Sequence, residues 1–211
     1  MVKPSLLASL VSVENEWDIL TELFEAGLEK FYLRKPGMRL KDYEYCLKNI
    51  PERFMDRVVL HEHFTIMYDY PFKEIHLKTR ERKGFAGKDR FLSLIDDAHH
   101  EGLICSTSVH SFEELQEIDG ILDRLWVSPV FESISRPGHT SEIDWIKTLN
   151  NKSFHSKIVA LGGIHEENAA ALMRKPFDEI ALLGAIWSTP ETAVENYKRV
   201  LSICQESVHM Y

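Results

Sequence analysis

Cysteine is scarce in this 211-residue sequence: there are three, at positions 46, 105 and 204, odd in number and far apart. A disulfide framework is excluded, and no CxxC or Cys/His zinc spacing occurs, so the thiols read as reduced and the location as cytoplasmic. Long apolar runs are also missing; one of the longest, 180–187, falls far short of the ~20 residues that span a bilayer, so no membrane role is expected. Basic charge is outnumbered, with 25 Lys and Arg against 33 Asp and Glu, a net −8. That balance excludes a nucleic-acid binder acting through its overall field but permits a local cationic pocket for a small anion. No glycine-rich dinucleotide fingerprint follows the first strand-like run. The apolar stretch 6–11, followed by Glu14 and Glu16, makes a poor signal peptide and reads as a buried first strand.

What is present is an ordinary globular mixture, 44% hydrophobic and 27% charged, expected to form one domain over residues 1–211. Eight short runs rich in Val, Ile and Leu lie at 5–11, 30–34, 57–61, 74–77, 103–107, 124–128, 157–161 and 179–183. They lack strict alternation, as strands do when both faces of a parallel sheet are covered. Between them the apolar spacing is helical. Trp17, Leu20, Leu23 and Phe24 form one stripe with Gly27 placed to end it. Phe91, Leu94, Ile95 and Ala98 form another, and the last helix opens at Thr189-Pro190-Glu191. Polar segments at 83–87 and 132–140 read as loops. Eight β–α units of about 26 residues fit a small (β/α)8 TIM barrel, with a doubly wound open sheet as the alternative.

In such a barrel chemistry gathers where strands end. Arg34 and Lys35 follow strand two, His61-Glu62-His63 strand three, and Glu81 lies just beyond strand four. Ser108 and His110 follow strand five; Ser133, Ser135 and Arg136 follow strand six. Gly162 and Gly163 end strand seven, and Gly184 ends strand eight. Glycines there let backbone N–H groups approach a phosphate, although they also serve simply to turn the chain. Carboxylates at neighbouring strand ends, with cations beside them, suit a Mg2+–diphosphate, each charge taken singly being equally explained by surface pairing. His61 and His63 have zinc-like spacing, but no complete ligand set accompanies them. Cys105, close in sequence to Ser108 and His110, could be a nucleophile, yet its place within a strand reads as a buried structural thiol.

These strand ends resemble the thiamin phosphate synthase superfamily, which includes thiazole tautomerase-like relatives. The resemblance is carried by Tyr32-Leu33-Arg34-Lys35-Pro36, Leu60-His61-Glu62, Ile75-His76-Leu77, the segment from Ser108-Val109-His110 to Glu114, the segment from Ser128-Pro129 to Pro137-Gly138, and Ala160-Leu161-Gly162-Gly163-Ile164 with Asn168. It implies a TIM barrel that joins hydroxymethylpyrimidine diphosphate to a thiazole phosphate with Mg2+ as cofactor, releasing diphosphate. It implies phosphorylated small-molecule substrates and leaves a homo-oligomer open. By resemblance, Arg34 lies near the diphosphate with His61, while Glu62 and Glu81 hold the metal and Ser108 lies near the reacting pyrimidine; the family's lysine position is Pro36 here, with the substrate-binding candidate Lys35 one position early. Ser133, Ser135 and Arg136 grip substrate, His110 lines the site, and Gly162, Gly163 and Gly184 form the thiazole phosphate loops. Tyr32 stands where the family has a pyrimidine-binding Gln, and Lys78-Thr79 where it has Gly-Gln.

Two other readings stay open. A thiazole phosphate isomerase or related phosphosugar-barrel lyase would need a general base, which His61 or His110 could supply. A non-catalytic sensor of thiazole or thiamin phosphate would keep the glycine loops while the diphosphate side decays, as Tyr32 and Pro36 suggest.

Overall fold

The computed structural model describes residues 3–84, 88–134, 138, 140–173 and 177–206, the side chains of Glu81 and Lys88 excepted. Eight parallel strands close into a barrel in chain order: β1 (Ser5–Leu7), β2 (Phe31–Leu33), β3 (Val58–Leu60), β4 (Glu74–Leu77), β5 (Ile104–Val109), β6 (Arg124–Val127), β7 (Lys157–Leu161) and β8 (Glu179–Leu182). β8 pairs with β1 through Leu6 and Leu182, so the sheet has no edge. The helices are α1 (Glu16–Glu25), α2 (Leu40–Lys48), α3 (Thr79–Gly84), α4 (Lys88–His100), α5 (Phe112–Ile118), α6 (Trp145–Leu149), α7 (Ala169–Leu172), α8 (Gly184–Trp187) and α9 (Ala193–Glu206). The TIM barrel expectation holds.

Local chemistry sets several boundaries. Gly27 takes φ +104°, a conformation that needs glycine, and the Leu28 N–H folds back to Leu23 O at 3.0 Å to close α1. Pro190 opens a single 3-10 turn, and α9 then buries Tyr197, Val200 and Cys204. Two expectations need correction. The apolar run 6–11 is not one buried strand: the chain leaves the ladder after Leu7, and Val11 is 70% exposed. The polar stretch 83–87 is not wholly loop, because residues 83 and 84 finish α3.

Two apolar clusters share the burial. A large one fills the space between barrel and helices, and a small one of Leu7, Tyr32, Val59, Trp126, Val159 and Ala181 lies inside the barrel. Strand side chains alternate, so residues two apart on alternate strands stack as tiers. Lys30, Glu74, Arg124 and Glu179 form the bottom tier: Lys30 pairs with Glu179 at 2.6 Å, and Arg124 with Glu179 at 3.0 Å and Glu74 at 3.2 Å. Tyr32, His76 and Trp126 come next, with ring centroids 4.4 to 6.0 Å apart and edges turned to faces. Two residues further along the same strands, the chain reaches Arg34, Lys78 and Ser128 at the mouth.

Candidate active site

The glycine side of the mouth is built by two loops pressed together. Val130 N–H donates to Leu161 O at 2.9 Å and Phe131 N–H to Gly162 O at 3.1 Å, so the loop after β6 runs along the loop after β7. A Cβ at Gly162 would sit 2.7 Å from Pro129 Cβ, and one at Gly163 would run into the carbonyl oxygen of Glu132. Both glycines also have positive φ, +101° and +67°. They are therefore required by loop–loop packing as well as by any ligand. Asn168 braces the turn, its Nδ2 donating to Gly163 O at 2.8 Å and its Oδ1 accepting from His165 N–H at 2.9 Å. Gly184 opens α8, whose Ile186 and Trp187 N–H groups return to Leu183 O. Trp187 Nε1 pins that turn to β1 by donating to Leu7 O at 2.7 Å.

Between these loops lies a cavity of about 170 Å³. Arg34, Ser128, Ser133, Gly162, Gly163 and Gly184 line it. Four residues named from the sequence for phosphate or substrate thus meet around one space with the arginine. Ser135 and Arg136 lie outside the described residues.

The other side of the mouth is charged. Glu62 is buried, and its Oε1 accepts from Lys78 Nζ at 2.6 Å. Lys78 follows His76 by two residues, so the period-two alternation carried one step beyond β4 places it at the mouth. Glu81 is on α3, and its side chain lies outside the described ones. His110 is exposed and reaches Thr79 Oγ1 at 3.1 Å, while Thr79 donates to Ser108 O at 3.0 Å. Glu114 accepts from His110 N–H at 2.7 Å and pairs with Arg82 and Lys83. Burial would raise its pKa, but those donors and cations outweigh it and hold the carboxyl down at about 2.

Beneath the charged rim, His61 and His76 are stacked, with centroids 4.4 Å apart and planes 28° apart. Burial is the main cause holding both imidazoles neutral, assisted by the nearby positive charges of Arg34 and Lys78; His76 is lowered to about 3. Arg34 thus acts electrostatically on the histidine pair while it lines the glycine cavity. His76 Nε2 is 3.2 Å from Ser108 Oγ, and its Nδ1 is 3.0 Å from Ser106 Oγ.

Two expected mouth residues are placed elsewhere. Tyr32 has no exposed surface, and its hydroxyl points down the barrel to Glu74 at 2.7 Å. It lies one tier below Arg34, because residues two apart on a strand share a face at different depths. Lys35 turns the other way: its ammonium donates to Ser9 O at 2.9 Å and to both Glu16 oxygens at 2.7 Å. His63 is bound to Met38 O at 2.7 Å and does not join His61 as a ligand pair. Cys105 is buried, and burial pushes its thiol up to about 12, which removes it as a nucleophile.

Residues 10–186 match the family described as thiamine monophosphate synthase. The chain belongs to that family. A thiamine-phosphate synthase from Actinobacillus succinogenes is 25% identical over 194 residues, covering 86% of this chain and 84% of that one. One from Chloroflexus aurantiacus is 30% identical over 108 residues, about half of each chain (49% and 50%). Among solved structures, thiamine phosphate pyrophosphorylase from Bacteroides thetaiotaomicron superposes with a TM-score of 0.72 at 25% identity, covering 97% of this chain and 98% of that one. The enzyme from Pyrococcus furiosus reaches a TM-score of 0.74 at 18% identity, covering 98% and 97%. At that identity the likeness speaks for the fold. Among the described residues, no helix of this family member is long and apolar enough to cross a membrane.

Proposed function

We propose that this thiamine monophosphate synthase family member is a transferase of the thiamine-phosphate synthase type. It would join hydroxymethylpyrimidine diphosphate to thiazole phosphate. The observation that carries this reading is the position of Arg34, which lines the glycine-walled cavity and bears on the Glu62–Lys78–histidine side. One residue at the junction of two polar compartments suits two phosphorylated substrates that must meet.

The reaction breaks one C–O bond and forms one C–N bond. The bonding pair leaves with diphosphate, and the thiazole nitrogen supplies the pair for the new bond. No proton needs to move, so the neutral, buried histidines are not required as bases. Arg34 and Lys78 would take up charge on the departing oxygens, and Ser133 with the Gly162, Gly163 and Gly184 loops would hold the thiazole phosphate. Fixing both partners in line supplies much of the rate.

Of the two carboxylates named from the sequence, the described one, Glu62, suits a magnesium ion. Glu62 offers hard carboxylate oxygens, and a cation, the Lys78 ammonium, already lies on one of them at 2.6 Å. Glu62 and Glu81 would hold Mg2+, which when bound neutralises diphosphate charge. Lys78, displaced from Glu62, would then be available to phosphate oxygens. We place the protein in the cytoplasm, in keeping with three buried free thiols, and a homo-oligomer would be read from sedimentation of the purified chain.

The test is direct. Purified protein given both phosphorylated precursors and Mg2+ releases diphosphate. Tight thiazole phosphate binding without any release would replace the transferase by a sensor.

A further inference from the structure

His76 does nothing in the scheme above, yet it is buried at the floor of the mouth with a hydroxyl on each ring nitrogen. We propose that His76 is a positioning residue that turns the Ser108 hydroxyl proton down into the barrel, so that Ser108 offers only oxygen lone pairs to a bound ring. The inference rests on the transferase reading for the identity of that ring, an electron-poor aminopyrimidine.

The argument follows the protons. Ser106 Oγ is buried and lies 3.2 Å from Ile75 O, to which it donates its single proton. Toward His76 Nδ1, 3.0 Å away, Ser106 can then only accept. The proton of that contact is therefore on Nδ1. A neutral imidazole has one N–H, so Nε2 is bare, and Ser108 Oγ at 3.2 Å must donate to it. The reverse arrangement has Ser106 donating to Nδ1 and Nε2 donating to Ser108. It makes two hydrogen bonds where the first makes three, and it abandons Ile75 O. Ser106 has no exposed surface, and there the fuller network wins.

The surroundings keep the ring neutral and in place. His61 lies flat on it at 4.4 Å, while the rings of Trp126 and Tyr32 meet it edge-on at 5.2 and 6.0 Å. Ser108 itself is half-buried, between this floor and the mouth. An oxygen that presents lone pairs there accepts from an exocyclic amino group and favours positive charge developing on the ring. A freely rotating hydroxyl would do neither consistently.

Two measurements test this. In protein labelled with 15N-histidine at neutral pH and without ligand, long-range proton–nitrogen correlations report the tautomer. His76 is expected as the Nδ1–H form, with Nε2 in the range of a bare ring nitrogen. The Nε2–H form, or a mixture of the two, overturns the proposal whatever the activity. In the kinetic arm, His76→Phe and Ser108→Ala each lower kcat/KM for the pyrimidine substrate about tenfold, leave thiazole phosphate affinity unchanged, and lose no more when combined. Losses that multiply in the double variant show His76 acting independently of Ser108 and also overturn it. A protein that releases no diphosphate at all sinks the transferase reading, and the ring signals still decide the tautomer.

Discussion

A carboxylate that already holds a cation is a different metal ligand from a solvated one. Glu62 is buried and bound to Lys78, so in the proposed site removing its charge takes an ion-pair partner from the lysine as well as a ligand from the metal. Glu62→Ala is expected to abolish the dependence of diphosphate release on Mg2+. An unchanged Mg2+ titration midpoint would take Glu62 out of the metal site. Residue types at strand ends, with the period-two alternation, point Arg34 toward the cavity it lines. They were not enough for Tyr32 and Lys35. Both have chemistry suited to a ligand, and both are taken up by acids of the chain itself, Glu74 and Glu16, more than fifteen residues away in sequence.

At the scale of elements, the loops after β6 and β7 behave as one unit. Gly163→Ala places a methyl group against Glu132 O at a backbone φ of +67°. The variant is expected to lose about 2 kcal/mol or more, seen as a lower urea midpoint, and to weaken thiazole phosphate binding with it. Stability lost without any change in affinity would separate the glycine's packing role from the phosphate site. The bottom tier supplies a second element-scale test. Arg124 is buried between Glu74 and Glu179, and burial raises the pKa of Glu74 despite the arginine beside it. Arg124→Met leaves Lys30, 2.6 Å from Glu179 and 3.9 Å from Glu74, to balance two carboxylates alone and is expected to cost roughly 3 kcal/mol. A loss under about 1 kcal/mol would show that water reaches the tier. The tier is legible in the sequence as Lys30, Glu74, Arg124 and Glu179 standing at the starts of four alternate strands.

For the whole molecule, buried neutral histidines tie folding to pH. His76 is held at about 3 in the fold, against 6.5 when exposed. Between those values the unfolded chain binds the extra proton, so the histidine's contribution to stability rises with pH and is complete above 6.5. From pH 6.5 down to pH 5 it costs the fold about 2 kcal/mol. Glu74 and Glu16 act in the opposite sense above 4.5, since burial raises both in the fold. The histidine part is therefore read as a difference: urea unfolding of the parent and of His76→Phe at the two pH values, the variant losing about 2 kcal/mol less on acidification. Equal pH dependence in both proteins would mean that His76 is solvated or protonated in the native state.

The sequence by itself determined eight alternating strand and helix units and the strand ends where chemistry gathers, because apolar runs, helical stripes and terminating residues are local properties that each segment carries alone. Only the tertiary structure decided depth and partnership: that Tyr32 serves the barrel interior, that Lys78 attends Glu62, and that two serines fix the protons of His76. Those depend on closing the sheet, which sets the stagger of strands distant in sequence and so decides which charges meet before any ligand arrives.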